Sequence, residues 1–587
     1  MQTAEDVAAC TSLPDAFFRQ VEKVGRRPAQ WERRSGEYIP ITYQMLSDRV
    51  RRVASGLMRA GIKPGDRIAL LMENRPEWAV IDYAILSIGA VTVPLYCSYR
   101  PQDIAYVLGD CGASIGFTSG GQLLSHLKKA VDQCQSVKRI YTIDGAADDG
   151  LVHNLAELED GDADEERLNR RLARIDREQL ATLVYTSGTT ANPKGVMLTH
   201  GNILTNLEAV PAVISLLREE RMLSFLPLAH ALERTGSHFL PYSNGISVAF
   251  AERPDTVAKN LTEATPTMMI AVPRMLEVVR SRILAQVAKQ SVFKRKLFYS
   301  YFELAGKENP GTAGQLLLKL LDRLVGVKVR DRFGGRLRVL VSGGAPLSVE
   351  VAQFFETLGL PVLEGYGLSE SAPLLAVNPM HDRRIGTVGL VAKGVEIKIA
   401  DDGEIIARGG NIMSGYWKNR KATKEALIDG WLYTGDIGEF DKDGYLKITD
   451  RKKDIIVNSG GENIAPQRVE GLLTAEPLIE QVVLYGDQRP YLVAMVVPDQ
   501  DACTAWAEEK GMPKSGWPEL AASDILRKHV QSRIQQHLKP LNSHEQIRRI
   551  TIHVDPFTIE NGYLTPTMKL KRRAIYQDFA EQFEALY

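Results

Sequence analysis

Tyr185-Thr186-Ser187-Gly188-Thr189-Thr190-Ala191-Asn192-Pro193-Lys194-Gly195 packs hydroxyls, glycines and a single lysine into one short stretch. Glycines let backbone N–H groups approach anionic oxygens, hydroxyls donate further hydrogen bonds, and Lys194 adds a positive charge, which together make a cradle for a phosphate chain. The apolar approach Leu183-Val184-Tyr185 and the continuation Val196-Met197-Leu198 read as strands, so the loop is expected as a turn at a sheet edge. It is not the P-loop of nucleotide hydrolases. That motif needs Gly-x4-Gly-Lys-Ser/Thr running into a helix, whereas Lys194 is followed by Gly195, Val196 and Met197.

Outward from this loop the chain alternates strands and helices. Thr42 can cap a helix whose apolar face runs Leu46, Val50, Val53, Leu57 and ends near Gly61. Residues 67–72 form a short apolar run, 78–86 read as helix and 90–95 as strand again, the rhythm of parallel α/β layers. It returns at 268–272, 337–341 and 362–366, each strand leading into a polar or Gly-rich turn. In open α/β sheets ligands bind at such turns. The acidic stretch 157–166 reads as a solvated loop. From about 378 to 450, short strands with turns at Asp401-Asp402-Gly403, Asp429-Gly430 and Asp443-Gly444 suggest a small β subdomain, and beyond 450 a compact α+β segment is expected.

Composition narrows the function classes. A chain of 587 residues exceeds one ordinary core, so at least two domains are expected. Lys+Arg and Asp+Glu both number 72, which removes any global charge argument for nucleic acid, and any anion site must be local. Cys10, Cys97, Cys111, Cys134 and Cys503 form no CxxC pair, which favours a reducing cytosol and ordinary buried thiols. The first twenty residues carry Glu5, Asp6 and Asp15 and do not read as a signal peptide. No window reaches the roughly eighteen uncharged apolar residues of a membrane span, so a cytoplasmic protein, at most peripheral on a membrane surface, is expected.

Several further stretches carry chemistry: Leu226-Pro227-Leu228-Ala229-His230, Ser342-Gly343-Gly344-Ala345-Pro346, Gly365-Tyr366-Gly367-Leu368-Ser369-Glu370, Tyr433-Thr434-Gly435-Asp436, Asp450-Arg451-Lys452-Lys453-Asp454 and Leu564-Thr565-Pro566-Thr567-Met568-Lys569-Leu570-Lys571-Arg572. With the 185–195 loop, and in this order, they resemble the signature motifs of the AMP-forming acyl-adenylating superfamily. Acyl-CoA synthetases, luciferases and peptide-synthetase adenylation domains share them. In layout the resemblance covers nearly the whole chain.

The resemblance implies an α/β fold with a large N-terminal domain, 1–450, of αβαβ layers plus the small β subdomain. A small mobile α+β lid, 451–587, would carry the adenylation lysine. ATP and a carboxylic acid would give an acyl adenylate and pyrophosphate, and a thiol would then take the acyl group as AMP leaves. Such a site needs charge neutralisation, alignment and water exclusion rather than an enzyme nucleophile. Thr186, Ser187, Gly188, Thr189, Thr190 and Lys194 would cradle the phosphates, and Gly344, Ala345 and Pro346 would form the adenine turn. Gly365 and Gly367 would flank Tyr366, stacked on adenine, with Ser369 by the α-phosphate and Glu370 and Thr186 holding Mg2+. Asp436 would accept the ribose hydroxyls. Arg451 would reach ribose or phosphate, and Lys453 would be the hinge. Ser459, Gly460 and Gly461 would line the approach of coenzyme A, and His230 would position the carboxylate or shape the acyl tunnel mouth.

Two departures from the common pattern matter. Ser369 stands where threonine is usual and keeps the hydroxyl. Met568 precedes Lys569 where glycine is commoner, a form resembling long-chain fatty acid–CoA ligases, as does Glu233-Arg234 after His230. Lys569 is therefore placed as the catalytic lysine, with Lys571 its competitor. The partners implied are a fatty acid, ATP and CoA, with no nucleic acid. Residues 280–335 interleave Lys and Arg with Phe, Tyr and Val, so they could lie on an anionic bilayer or form a solvated hairpin packed on its own domain. Narrower alternatives are a fatty acyl-AMP ligase serving a carrier protein and a ligase for an aromatic or polyketide acid. Different in class are an ADP-forming phosphotransferase, which leaves the Lys569 motif unexplained, and a silent acyl-binding homologue, which would lack Lys569, Glu370 or Asp436.

Overall fold

The structure, a computed structural model, describes residues 7–148, 150–186, 192–217, 219–307, 310–474, 476–512, 516–565 and 569–587. Of the motif residues named above, Ser187, Gly188, Thr189, Thr190 and Ala191, and likewise Pro566, Thr567 and Met568, lie outside the described residues.

Two large sheets organise the first part of the chain. In one, strands Arg67–Leu71, Val91–Pro94, Ile115–Thr118, Arg139–Thr142 and Val152–Asn154 are parallel. Leu180–Thr186 joins them parallel to Val91–Pro94 and turns back as an antiparallel pair with Lys194–Thr199. That hairpin stands next to the sheet edge, which the two-residue strand Gly415–Tyr416 closes. The other sheet has Arg221–Ser224, Ser247–Phe250, Met268–Ala271, Val339–Ser342 and Val362–Gly367 as its parallel centre.

Side-chain alternation along the strands builds the layers. Ile68 and Leu70 share a core with Val248 and Phe250 of the other sheet and with helices Tyr43–Arg59 and Pro76–Ser87. Ala69 and Leu71 face the opposite way, onto Ile104, Leu108 and Leu127, while Leu223, Met269 and Leu340 face Leu261, Val351 and Phe355. The result is α/β/α/β/α layering. Helix Pro76–Ser87 is apolar all round and buried on every side, as a helix between two sheets must be. Helix Tyr43–Arg59 starts at Thr42, whose side chain accepts from the Met45 N–H, and buries Leu46, Val50, Val53 and Leu57.

The acidic stretch 157–166 departs from expectation. It is not a plain loop but the short helix Ala156–Glu159 and the start of helix Glu165–Leu172. Asp164 caps the second, Leu158 and Leu168 are buried, and Glu159 and Glu165 pair with Arg49 and Arg51. One buried leucine and one arginine partner per turn suffice to order it.

Strands Val395–Ile399, Glu404–Gly409, Trp431–Phe440 and Leu446–Arg451, with Leu427–Ile428, form an antiparallel five-stranded sheet. Beyond it, Ile479–Tyr485, Leu492–Pro498 and Ile547–Ile552 form a three-stranded sheet. One face packs on helices Pro466–Leu473 and Asp524–Leu538, the other on Phe557, Ile575 and Phe583. Among the described residues no helix is long and apolar enough to cross a membrane.

Candidate active site

Thr186 ends its strand directly opposite Lys194, the first residue of the returning strand. Gly195 follows because Tyr185 lies under it: a Cβ there would stand 3.0 Å from the Tyr185 ring. The Tyr185 hydroxyl donates to Asp110 at 2.5 Å, which fixes the ring. The Lys194 ammonium rests 4.3 Å from the centroid of the Tyr416 ring, a cation–π contact. The Tyr416 hydroxyl in turn donates to Glu370 Oε1 at 2.7 Å. Segment 413–417 stitches these pieces together through Met413 N–H to the Glu370 carbonyl and Trp417 N–H to the Gly195 carbonyl. Tyr416 thus joins Lys194 to the turn that carries Glu370, and sequence spacing gave no sign of it.

Gly365, Tyr366 and Gly367 close the strand Val362–Gly367, and Ser369 and Glu370 lie in the 3-10 turn that follows. Gly367 is obligatory, since a Cβ would fall 1.7 Å from the Pro373 carbonyl oxygen, the oxygen that accepts the Leu368 N–H. Tyr366 is buried and its hydroxyl donates to Asp436 Oδ2 at 2.8 Å. Gly344, Ala345 and Pro346 form an exposed turn after the strand Val339–Ser342.

Asp436 and Arg451 face each other as register partners on adjacent antiparallel strands, with Arg451 Nε 3.3 Å from Asp436 Oδ1. Lys569 comes from the far end of the chain. Thr565 and Lys569 hold the base of its turn, the Thr565 N–H donating to the Lys569 carbonyl at 2.8 Å and the Lys569 N–H to Thr565 Oγ1 at 3.0 Å. The Lys569 ammonium feels desolvation first and Arg451 second, which lower its pKa, against the opposing pull of Asp436, Asp454 and Glu370. The residue nonetheless keeps exposed surface, so solvent reaches it. Burial raises the Asp436 carboxyl, opposed by Arg451, the Tyr366 hydroxyl and Lys569.

His230 caps the helix Ala231–Arg234, its Nδ1 accepting the Leu232 N–H at 3.2 Å. Burial, then the charge of Lys569, drive its pKa down to about 4, so the ring is neutral at pH 7 and carries its proton on Nε2. The segments of His230, Glu370, Asp436, Arg451 and Lys569 therefore meet. Lys571 does not join them; it is exposed and caps helix Arg572–Asp578. Arg572 pairs with Glu470 at 2.6 Å, anchoring the base of the lysine turn. Lys453 is exposed in the turn after Arg451, and Ser459, Gly460 and Gly461 form an exposed loop. That loop is folded on Asn458, whose Oδ1 accepts the N–H groups of Gly460 and Glu462. Glu233 and Arg234, adjacent in sequence, do not pair with each other: Glu233 accepts from Ser224, and Arg234 reaches Asp82.

Layers of this kind, with a lysine, two carboxylates and a glycine-framed tyrosine gathered from distant segments, are those of an adenylate-forming class of protein. The chain belongs to the AMP-binding enzyme family, which matches residues 17–417, while that family's C-terminal domain matches 453–587. The long-chain-fatty-acid–CoA ligase FadD15 of Mycobacterium tuberculosis is 36% identical over 567 residues, covering 94% of this chain and 93% of that protein. The long-chain-fatty-acid–CoA ligase 5 of Rattus norvegicus is 32% identical over 609 residues, covering 98% and 88%. Among solved structures, the adenylation domain of a carboxylate reductase from Mycobacterium chelonae superposes with a TM-score of 0.79 at 24% identity, covering 100% of this chain and 92% of that one. The last likeness concerns the fold alone.

Proposed function

We propose that the protein is a long-chain fatty acid–CoA ligase that activates its acid through an acyl adenylate. The observation that carries this reading is that Lys569, Asp436, Glu370 and His230, from four distant segments, lie close enough for the charge of Lys569 to be felt by His230 and Asp436 and for those of Asp436 and Glu370 to be felt by Lys569. A fatty carboxylate oxygen attacks the α-phosphorus of ATP, the bond to the β-phosphate oxygen breaks, and pyrophosphate leaves. Lys569 supports the negative charge that builds at the α-phosphate, Lys194 and the phosphate loop hold the departing phosphates, and Asp436 holds the ribose. Neutral His230, a donor through Nε2, orients the acid carboxylate without competing with Lys569 for charge. In the second step the CoA sulfur attacks the acyl carbon, the thiol gives up its proton, and AMP departs.

Glu370 would offer one carboxylate and Thr186 one hydroxyl to a metal ion. Among the described residues no cluster of three His, Cys, Asp or Glu gathers to cage a metal. That sparse oxygen set fits Mg2+, which takes most of its ligands from phosphates and water. When bound, Mg2+ would neutralise phosphate charge.

Lys452 is tied to Asp402 at 2.6 Å and to Glu404 at 2.7 Å of the five-stranded sheet. This supports a division into 1–450 and 451–587, with Lys453, just past the tether, as the pivot. Turning the lid would withdraw Lys569 and bring Ser459, Gly460 and Gly461 to the path of CoA. A substrate of this kind resides in bilayers, and the basic segment 280–335 would be the face turned to them. The deciding experiment measures AMP and pyrophosphate release with Mg·ATP across short, medium, long and aromatic acids, with and without CoA. Palmitate-dependent AMP and a CoA thioester are expected. AMP without thioester would transfer the role to a carrier-protein ligase, and ADP as product would overturn the reading.

A further inference from the structure

The loop Ser459-Gly460-Gly461 has no core of its own. All three residues are exposed, and nearby Val457 is 40% exposed. Buried Ile456 and Ile464 fix only its base, where the two-residue strands Ile456–Val457 and Asn463–Ile464 pair. Above that base the loop is fastened to the turn that joins strands Ile479–Tyr485 and Leu492–Pro498. The Val457 N–H donates to Asp487 Oδ1 at 3.0 Å, the Gln488 N–H to the Val457 carbonyl at 2.7 Å and the Ser459 N–H to the Arg489 carbonyl at 3.0 Å. Gln488 takes a left-handed φ of 57°, which a residue with a side chain keeps only where its surroundings impose it. The shape of the glycine loop is therefore tied to that of residues 487–489.

Those three residues are themselves exposed or half-buried, and what steadies them is the stretch 583–587. The Arg489 guanidinium donates to Glu584 Oε1 at 2.5 Å, and the same oxygen accepts the Tyr485 hydroxyl at 2.9 Å. The guanidinium carbon lies 5.4 Å from the centroid of the Tyr587 ring, whose hydroxyl donates to the Tyr491 carbonyl at 3.1 Å. Phe583 is buried and stacks on Tyr485 with ring centroids 4.9 Å apart, which seats this stretch on the sheet. The turn is thus strapped on both flanks, at Tyr485 and at Tyr491, with Arg489 as the tie between them. An ion pair whose two side chains are each 40% exposed adds little to folding. Its effect is geometric, since it removes slack from a turn to which an exposed loop is bonded.

We infer that Arg489, held by Glu584 and Tyr587, is a positioning residue for the thioester step: it keeps turn 487–489, and through it the Ser459-Gly460-Gly461 loop, in the shape that receives the thiol arm of CoA. The inference rests on the reading of that loop as the path of CoA and extends it to residues that touch no substrate. The test measures the pyrophosphate burst from ATP and palmitate without CoA, and then the KM for CoA in thioester formation, for wild type, Arg489→Ala, Glu584→Gln and Gly461→Ala. Arg489→Ala and Glu584→Gln should keep the wild-type burst, which also shows that they fold. Arg489→Ala should raise the CoA KM roughly 5–20-fold and change kcat less than about twofold, because a loop that is no longer pre-organised is ordered at the expense of binding. Glu584→Gln keeps the arginine charge and should still raise the KM, roughly 2–5-fold. A wild-type or lowered KM in Glu584→Gln would make Arg489 a direct ligand of the CoA phosphates and overturn the inference. So would a wild-type KM in Arg489→Ala, or a burst slowed as much as thioester formation, the mark of a merely structural role. Gly461→Ala tests the loop itself: Gly461 sits at a φ of 79°, so a side chain there is strained and the CoA KM should rise. A wild-type KM in Gly461→Ala would sink the reading of the loop as the CoA path, and the inference with it. A rise in Gly461→Ala without one in Arg489→Ala would leave that reading standing and overturn the inference alone.

Discussion

Two clusters of similar charges meet opposite fates in this molecule. Between the sheets, Asp82 is fully buried and receives Arg234 at 2.6 Å, His238 at 2.9 Å and the Thr92 hydroxyl at 2.7 Å, while Arg234 also donates to Thr182. Burial would raise the Asp82 carboxyl, but Arg234 and the His238 hydrogen bond outweigh it and leave it at about 2. In the candidate site, Lys569, Arg451, Asp436 and Glu370 are of the same chemical kinds, yet desolvation and the Arg451 charge push the ammonium down rather than settle it. The first cluster is complete in itself. The second leaves a cation standing where developing negative charge would complete it. A perturbed titratable group therefore does not by itself mark function; an unfinished, water-reached one does.

The largest effect should come from breaking the finished cluster. Asp82→Ala leaves Arg234 buried without its counter-charge and should cost ~3–5 kcal/mol in denaturant unfolding. A loss under ~1 kcal/mol would mean that the network does not hold the two sheets together. In the unfinished cluster, Lys569→Ala should leave unfolding nearly unchanged and lower AMP formation by roughly 10²–10³-fold. Thioester formation from pre-made acyl adenylate should stay within a few fold of wild type. Equal loss of both half-reactions would remove the distinction drawn for this lysine.

Glu233 shows a third way of handling a buried charge. It sits next to Arg234 in sequence but points to Ser224, and burial pushes its carboxyl up to about 8. The folded protein thus keeps a proton that the unfolded chain releases above the ordinary carboxylate range. Stability should fall as pH rises from the ordinary value of 4.5 to about 8, by at most ~1.4 kcal/mol per pH unit, and level off above. Glu233→Gln should flatten that slope in melting curves taken on either side of neutrality. A slope that persists in the variant would assign the proton to another group.

The two clusters also differ in how far the sequence announced them. Residues such as Tyr366, Asp436 and Lys569 stand in short contiguous motifs, each in a strand or turn whose conformation is set locally. The layered α/β order was legible for the same reason, since Thr42, the 67–72 run and the 78–86 helix each follow from neighbours in the chain. Arg234 and His238 stand one helical turn apart, Arg234 within the Glu233-Arg234 pair noted in the sequence, but their partner Asp82 lies 152 and 156 residues earlier, and only the packing of helix Pro76–Ser87 between the sheets brings it to them. The acidic stretch 157–166 was misread on the same ground, as its order depends on Arg49 and Arg51 a hundred residues away.

Tyr416 is where the local and the distant meet. Its ring carries Lys194 and its hydroxyl holds Glu370, so one side chain sets two groups that motif reading treats as independent. Tyr416→Phe keeps the ring and removes the hydrogen bond. It should raise the Mg2+ concentration needed for half-maximal AMP formation about three- to tenfold, ~0.7–1.4 kcal/mol, and leave the KM for ATP near wild type. Tyr416→Leu removes the ring as well, and should add a rise in the ATP KM because Lys194 loses its resting place. If both substitutions move the same parameter by the same amount, Tyr416 acts only as packing, and the unfinished cluster is held by its strands alone.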